Sequence, residues 1–111
     1  MKSVNIKIKP LSVNEAWQGR RFKTSKYNVY EREMLYRLPS IAIKSHVKLA
    51  VYLTYGFSNC ASDIDNPTKL ILDTLQKKYG INDKDIYELH LKKEIASKGK
   101  EFISFSYEYM N

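Results

Sequence analysis

Val4, Ile6 and Ile8 alternate with Asn5, Lys7 and Lys9, and Pro10 follows. Every second side chain of a strand shares a face, so this run predicts a half-buried strand ended by the proline. Residues 11–23, LSVNEAWQGRRFK, keep neither period and read as a connecting loop with a glycine and a basic cluster. Across 25–37, Tyr27, Tyr30, Met34 and Leu35 recur at three- and four-residue spacings, one face of a helix that Leu38-Pro39 stops. Val47, Leu49, Val51, Leu53 and Tyr55 restore period two and predict a second strand. Asn66-Pro67 then announces a helix, with Asn as N-cap and Pro in the first helical position. Ile71, Leu72, Leu75 and Tyr79 gather on its inner face and Gly80 ends it. Residues 86–93 (IYELHLKK) and 101–109 (EFISFSYEY) alternate again, and the turn-like Ser97-Lys98-Gly99-Lys100 between them predicts a β-hairpin. The order β-α-β-α-β-β describes an α+β fold: a single domain over residues 1–111, with an about four-stranded mixed sheet and two helices packed on it.

At 111 residues and 43% hydrophobic content the chain can bury one core. No stretch approaches the roughly 20 apolar residues of a membrane span. The alternation in MKSVNIKIKP reads as strand, not as a signal peptide. Cys60 stands alone, so no intramolecular disulfide forms, and Cys and His lack zinc-type spacing. Cys60 reads as a small buried or half-buried residue, His46 and His90 as structural, and the expected location is cytoplasmic.

The formal charge of +7 changes the picture. Residues 1–50 hold eleven Lys/Arg against three Glu, which favours a polyanionic partner, chiefly nucleic acid. Arg20, Arg21, Lys23, Lys26, Tyr27 and Tyr30 interleave cations with aromatic rings, a composition suited to phosphate contact and base stacking. Trp17 reads as a core anchor.

Against that basic background every aspartate falls within one stretch: Asp63, Asp65, Asp73, Asp83 and Asp85. Two accounts compete. In one, Asp63 and Asp65 sit in a turn at the positive end of the second helix, and Lys69 and Asp73 form an i,i+4 surface pair. In the other, Asp63 and Asp65 lie in an extended segment roughly 6–7 Å apart at the backbone, pointing the same way. Their carboxylates then converge on Mg²⁺, which prefers oxygen ligands and keeps several waters. Lys69 meets the charge on a phosphodiester, and Asp83, just ahead of the next strand, returns to the same end of the sheet as a further ligand. An acidic centre inside a basic surround is the electrostatic pattern of a metal-dependent nuclease.

The run DIDNPTKLILDTL, followed by INDKDI and LKKE, resembles the RusA family of Holliday junction resolvases of bacteria and their phages. The N-terminal PLSVNEAWQGRRFKTSKYNVYE is similar to the Asn/Trp- and Lys/Tyr-rich segment of phage-type members. D-x-D-N-x-x-K-x-x-x-D-x-L at this spacing is far more specific than D-x-D alone. The resemblance implies a homodimeric, Mg²⁺-dependent endonuclease (Mn²⁺ a substitute, no organic cofactor) that nicks branched, four-way DNA symmetrically. It places the catalytic set on Asp63, Asp65, Lys69 and Asp83, with metal held by Asp63, Asp65 and Asp83 and supporting roles for Asp73 and Lys93. Where many members carry two adjacent aspartates this chain has Asn82-Asp83. Asp83 and Ile86 keep the family spacing, and Asp85 stays the alternative. Lys93 has a second account, as an edge-strand lysine that discourages aggregation. Two rival functions stay open: a non-catalytic nucleic-acid-binding module, and a metal-dependent nuclease for flaps or other branched DNA.

Overall fold

The computed structural model describes residues 3–18 and 22–111. Its elements run β1 (Val4–Ile6), α1 (Val13–Ala16), β2 (Trp17–Gln18), β3 (Phe22–Lys23), α2 (Ser25–Arg37), β4 (Leu49–Phe57), α3 (Thr68–Tyr79), β5 (Ile86–Ile95) and β6 (Phe102–Tyr109). A single 3₁₀ turn, Asp83–Asp85, leads into β5. The α+β reading holds: four strands form one mixed sheet in the order β1-β6-β4-β5, and helices cover one of its faces.

β4 is the interior strand. Its residues are buried at seven of nine positions, and both of its edges are paired. β5 runs parallel to it and β6 antiparallel on the other side. This corrects the expected hairpin: β5 and β6 are separated by β4. The Ser97–Lys100 turn exists, with Gly99 at φ +88° and Lys100 N–H donating to Ser97 O at 2.8 Å, but it arches over the end of β4. Ala96 N–H donates to Phe57 O at 2.7 Å, fixing the start of the arch. On its far side Phe102 lies opposite Gly56, its ring where a side chain would stand; a Cβ at position 56 would meet it at 2.3 Å.

Register explains which residues enter the core. Val51, Leu53 and Tyr55 of β4 stand opposite Tyr107, Phe105 and Ile103 of β6, and Ile6 of β1 lies opposite Ile103. Onto this face pack Tyr27, Tyr30 and Met34 of α2 and Leu70, Ile71 and Leu75 of α3. The tyrosine spacing therefore marks core, not a binding surface. Residues 11–23, expected as loop, hold the one-turn α1 and, among those described, the antiparallel pair β2–β3. Ser12 and Glu15 close a capping box on α1, and Trp17 stands edge-on to Tyr27 at 5.4 Å.

α2 and α3 are joined by charge as well as by packing. Glu31 on α2 receives Lys77 of α3 at 2.8 Å and Lys23 at 3.2 Å. Burial by itself raises the Glu31 pKa, but hydrogen bonds from Lys77 and then Lys23 outweigh it and hold the carboxyl below its ordinary value. A depressed carboxyl pKa adds stability above the unfolded-state value, and that stability is lost as pH falls through the folded-state value. Glu31→Gln is expected to lower unfolding free energy by about 1 kcal/mol at pH 7, with the gap closing by about pH 3, in paired urea titrations. An equal gap at both pH values would show that the ion pairs contribute nothing.

Candidate functional site

The aspartate segment hangs between β4 and α3, and two contacts hold it. Lys93, on β5 opposite Tyr55, directs its ammonium to the carbonyl oxygens of Cys60 and Ser62, each at 2.6 Å. Tyr55, wholly buried on β4, shares a 2.8 Å hydrogen bond with Thr68 at the first turn of α3. Burial, against the opposing effect of that bond, pushes the Tyr55 pKa up to about 12, so it remains a neutral hydroxyl partner at physiological pH. The sheet thus grips the segment at its start and at its end.

Between these grips the chain folds into successive turns. Asn66 N–H donates to Asp63 O at 3.4 Å and Thr68 N–H to Asp65 O at 3.1 Å, so Asp63 and Asp65 do not lie in an extended run. α3 opens at Thr68 with Pro67 in the capping position and no side-chain cap, so neither Asn66 nor an aspartate carboxylate caps it. Asp63 and Asp65 are exposed, and their carboxylates make no hydrogen bond or ion pair among the described residues. Cys60 is exposed as well, contrary to the expected burial, because Lys93 uses its backbone and leaves its thiol outside.

The other motif residues are engaged. Lys69 pairs with Asp73 at 3.5 Å, the i,i+4 contact, with two-thirds of its side chain exposed. Asp83 accepts from Gln76 Nε2 at 2.5 Å, and Asn82 caps the turn that carries it. Asp83 does not return to the end of the sheet where Asp63 lies. β4 and β5 are parallel, with Leu49 opposite Ile86 and Phe57 opposite Ile95, so the entry to β5 sits at the opposite end from the exit of β4. The six residue steps from Leu49 to Tyr55, whose partner Lys93 holds the aspartate segment, amount to roughly 20 Å of strand. Among the described residues no three His, Cys, Asp or Glu side chains converge into a metal-holding group. Asp63 and Asp65 are hard oxygen donors on one turn, and Mg²⁺ is commonly held by one or two carboxylates plus water and phosphate oxygens. The three-carboxylate set is not assembled among the described residues.

Two cavities divide the motif. Asp63 and Asn66 line a cleft of about 590 Å³ with Lys9, Glu15, Lys98 and Glu101, while Lys69 and Asp83 line a separate one of about 290 Å³ along the start of β5. The pattern of the sequence missed Lys9, Lys98 and Glu101 as neighbours of the motif, because their approach depends on the arch over β4. Glu101 fastens that arch: it accepts from Gly99 N–H at 2.8 Å and Ser58 Oγ at 2.9 Å. Hydrogen bonds, its own backbone amide first and then the Ser58 hydroxyl, lower its pKa.

Of the expected DNA-contacting residues, Arg20 and Arg21 lie outside the described residues. Tyr27 is buried in the core and cannot stack on a base in this conformation. Lys23 is taken up by Glu31 and the Tyr27 ring. Lys26 projects from the surface, with only a 3.8 Å approach to Glu15. No helix among the described residues is long and apolar enough to cross a membrane.

If Lys93 holds the loop, Lys93→Met should raise amide exchange across residues 59–63 by tenfold or more while β4 amides stay protected; charge-assisted bonds of this kind contribute about 1.5–3 kcal/mol. Unchanged exchange across that loop would reduce Lys93 to an edge-strand lysine. Tyr55→Phe, which leaves the buried Thr68 hydroxyl without its partner, should cost about 1–3 kcal/mol in urea unfolding. No protein-family model matches the chain, and no curated protein matches it in sequence.

Proposed function

We propose that the protein is a Mg²⁺-dependent endonuclease acting on branched DNA, with the four-way junction as its substrate and Asp63 and Asp65 as the metal-holding pair. One observation carries this reading. Two adjacent carboxylates are left without an internal partner on a turn that Lys93 and Tyr55 hold in place, in a chain of net charge +7. Carboxylates spent on capping α3 would leave nothing to bind a cation, and they are not spent there.

The division of labour follows from position. Lys93 fixes the turn, so the two carboxylates are presented without ordering cost on binding. Lys9 and Lys98, at the rim of the Asp63 cleft, attract the phosphate backbone. Lys69 exchanges Asp73 for a phosphate oxygen, a small loss because the pair is exposed. A magnesium ion held by Asp63 and Asp65 supplies Lewis acidity toward the phosphodiester. Paired nicks in a junction of two-fold symmetry call for two copies of the site, hence a homodimer.

A second reading, a DNA-binding module without catalysis, is favoured by a separate observation: Asp83 stands at the other end of α3 in the same chain.

The test is cleavage of a mobile four-way junction with and without Mg²⁺. Wild-type protein should give paired nicks in opposing strands only with metal, and Asp65→Asn should lose on the order of a hundredfold or more in rate while retaining junction binding. Glu108→Gln, on β6 away from the motif, should cleave as wild type. Tight binding with no cleavage under Mg²⁺ or Mn²⁺ would sink the nuclease reading in favour of the binding module. Equal cleavage of flap and junction would move the substrate class.

A further inference from the structure

The short pair β2–β3 has two unlike faces. Trp17 stands opposite Lys23 and Gln18 opposite Phe22, and side chains alternate between faces along each strand. The first pair is fixed inward: Trp17 packs edge-on to Tyr27 at 5.4 Å, and the Lys23 ammonium meets Glu31 at 3.2 Å and lies over the Tyr27 ring. The second pair faces out. Phe22 is 71% exposed, and Gln18 beside it is exposed as well. The root of the pair is held to α1, where Thr24 N–H donates to Ala16 O at 2.9 Å and the Thr24 hydroxyl to Glu15 O at 2.7 Å. Val13, at the other end of α1, donates its N–H to Asn66 O at 3.2 Å. The outward ring is therefore carried on a support joined by backbone hydrogen bonds to the residue after Asp65.

A single exposed ring needs no explanation by itself. The surroundings of this one select an occupant. Between Glu15 and Glu31 the chain has Arg20, Arg21, Lys23 and Lys26 and no acidic residue, a local charge that suits a polyanion. The outward face offers a flat ring with an amide about 5 Å away across the ladder. A nucleobase uses both, its π-face stacking on the ring and an edge atom hydrogen-bonding the amide. In continuous duplex each base has both faces covered by its neighbours. At a branch point, or beside an unpaired base, a face is open.

We infer that Phe22, with Gln18 beside it, is a stacking site for an unstacked nucleobase and the place where the protein distinguishes branched DNA from plain duplex. This rests on the reading that the partner is branched DNA, and deepens it. Phosphate contacts by lysines hold any duplex alike, whereas the ring rewards only DNA with an open base face. Through α1, seating that base also sets the strand relative to Asp63 and Asp65.

The test is equilibrium binding in EDTA, where neither metal nor cleavage enters, to three DNAs: a four-way junction, a duplex with one unpaired base, and the same duplex fully paired. Phe22→Ala should weaken binding to the first two about tenfold or more and leave the third unchanged. Phe22→Leu, which keeps apolar bulk without a ring, should behave like Phe22→Ala, and Phe22→Trp like wild type. Urea unfolding of Phe22→Ala should match wild type, because the ring is exposed. Tyr36→Ala, which removes an 87% exposed ring from α2, should bind all three DNAs as wild type does. Unchanged junction and bulge binding by Phe22→Ala overturns the inference, as does an equal loss on all three DNAs or full binding by Phe22→Leu. A wild type that binds none of the DNAs overturns it together with the nuclease reading, and Phe22-dependent binding to phosphatidylserine vesicles would then assign the face to lipid. If wild type binds the junction through Phe22 yet never cleaves it with Mg²⁺, the nuclease reading fails and the stacking site stands.

Discussion

The parallel pairing of β4 with β5 is the constraint from which the rest of this structure follows. A parallel neighbour cannot be reached by a tight turn, so the chain must cross from one end of the sheet to the other, and α3 is that crossing. The crossing buries Leu70, Ile71 and Leu75 against β4 and closes the core. It also dictates that what leaves β4 and what enters β5 sit apart. Asp63 and Asp65 belong to the exit, Asp83 and Asp85 to the entry, and no rotamer choice brings the two groups together across roughly 20 Å of strand.

Within that frame the exit loop is held at both ends by side chains from the sheet. Loops that carry chemistry need a scaffold that fixes them, because each freely rotating residue must otherwise be ordered when the ligand arrives. Here the fixing groups come from neighbouring strands: Tyr55 on β4 reaches Thr68, and Lys93, its partner on β5, reaches the carbonyls of Cys60 and Ser62. The two side chains lie opposite each other in the ladder. A slip of one residue in β5 would turn Lys93 to the other face and release the start of the loop.

The periodicities gave the element types and most boundaries, since each long element buries one face: tyrosines at helical spacing on α2, and Leu49, Val51, Leu53 and Tyr55 on β4. Pairing was not legible. Residues 86–93 and 101–109 each alternate as a hairpin strand would, and nothing in them announces that β4 lies between. The deciding information is in β4 itself, whose buried residues on both faces mark an interior strand that needs two partners. The site suffered in proportion. Asp63, Asp65 and Lys69 were singled out by residue type and spacing and Lys93 only through the family resemblance, whereas Lys9, Lys98 and Glu101 join the Asp63 cleft only through the arch over β4. Tyr27 and Lys23 looked like a nucleic-acid surface because interleaved cations and aromatics also describe a buried ring with a lysine over it.

The five aspartates, gathered in sequence, are therefore not one electrostatic object in space. Asp73 has Lys69 and Asp83 has Gln76, each an internal partner that accounts for it without any ligand. Asp63 and Asp65 have neither partner nor cap duty among the described residues, and they sit between the Lys93 and Tyr55 contacts that hold the loop. Structural carboxylates at a helix start usually accept the orphan N–H groups there, and that alone stabilises the helix. α3 does without such help, beginning through Pro67 and the buried Tyr55–Thr68 bond. On the proposed reading, a cation brought with an anionic substrate would partner Asp63 and Asp65, in the way Mg²⁺ is commonly held by one or two carboxylates plus water and phosphate oxygens.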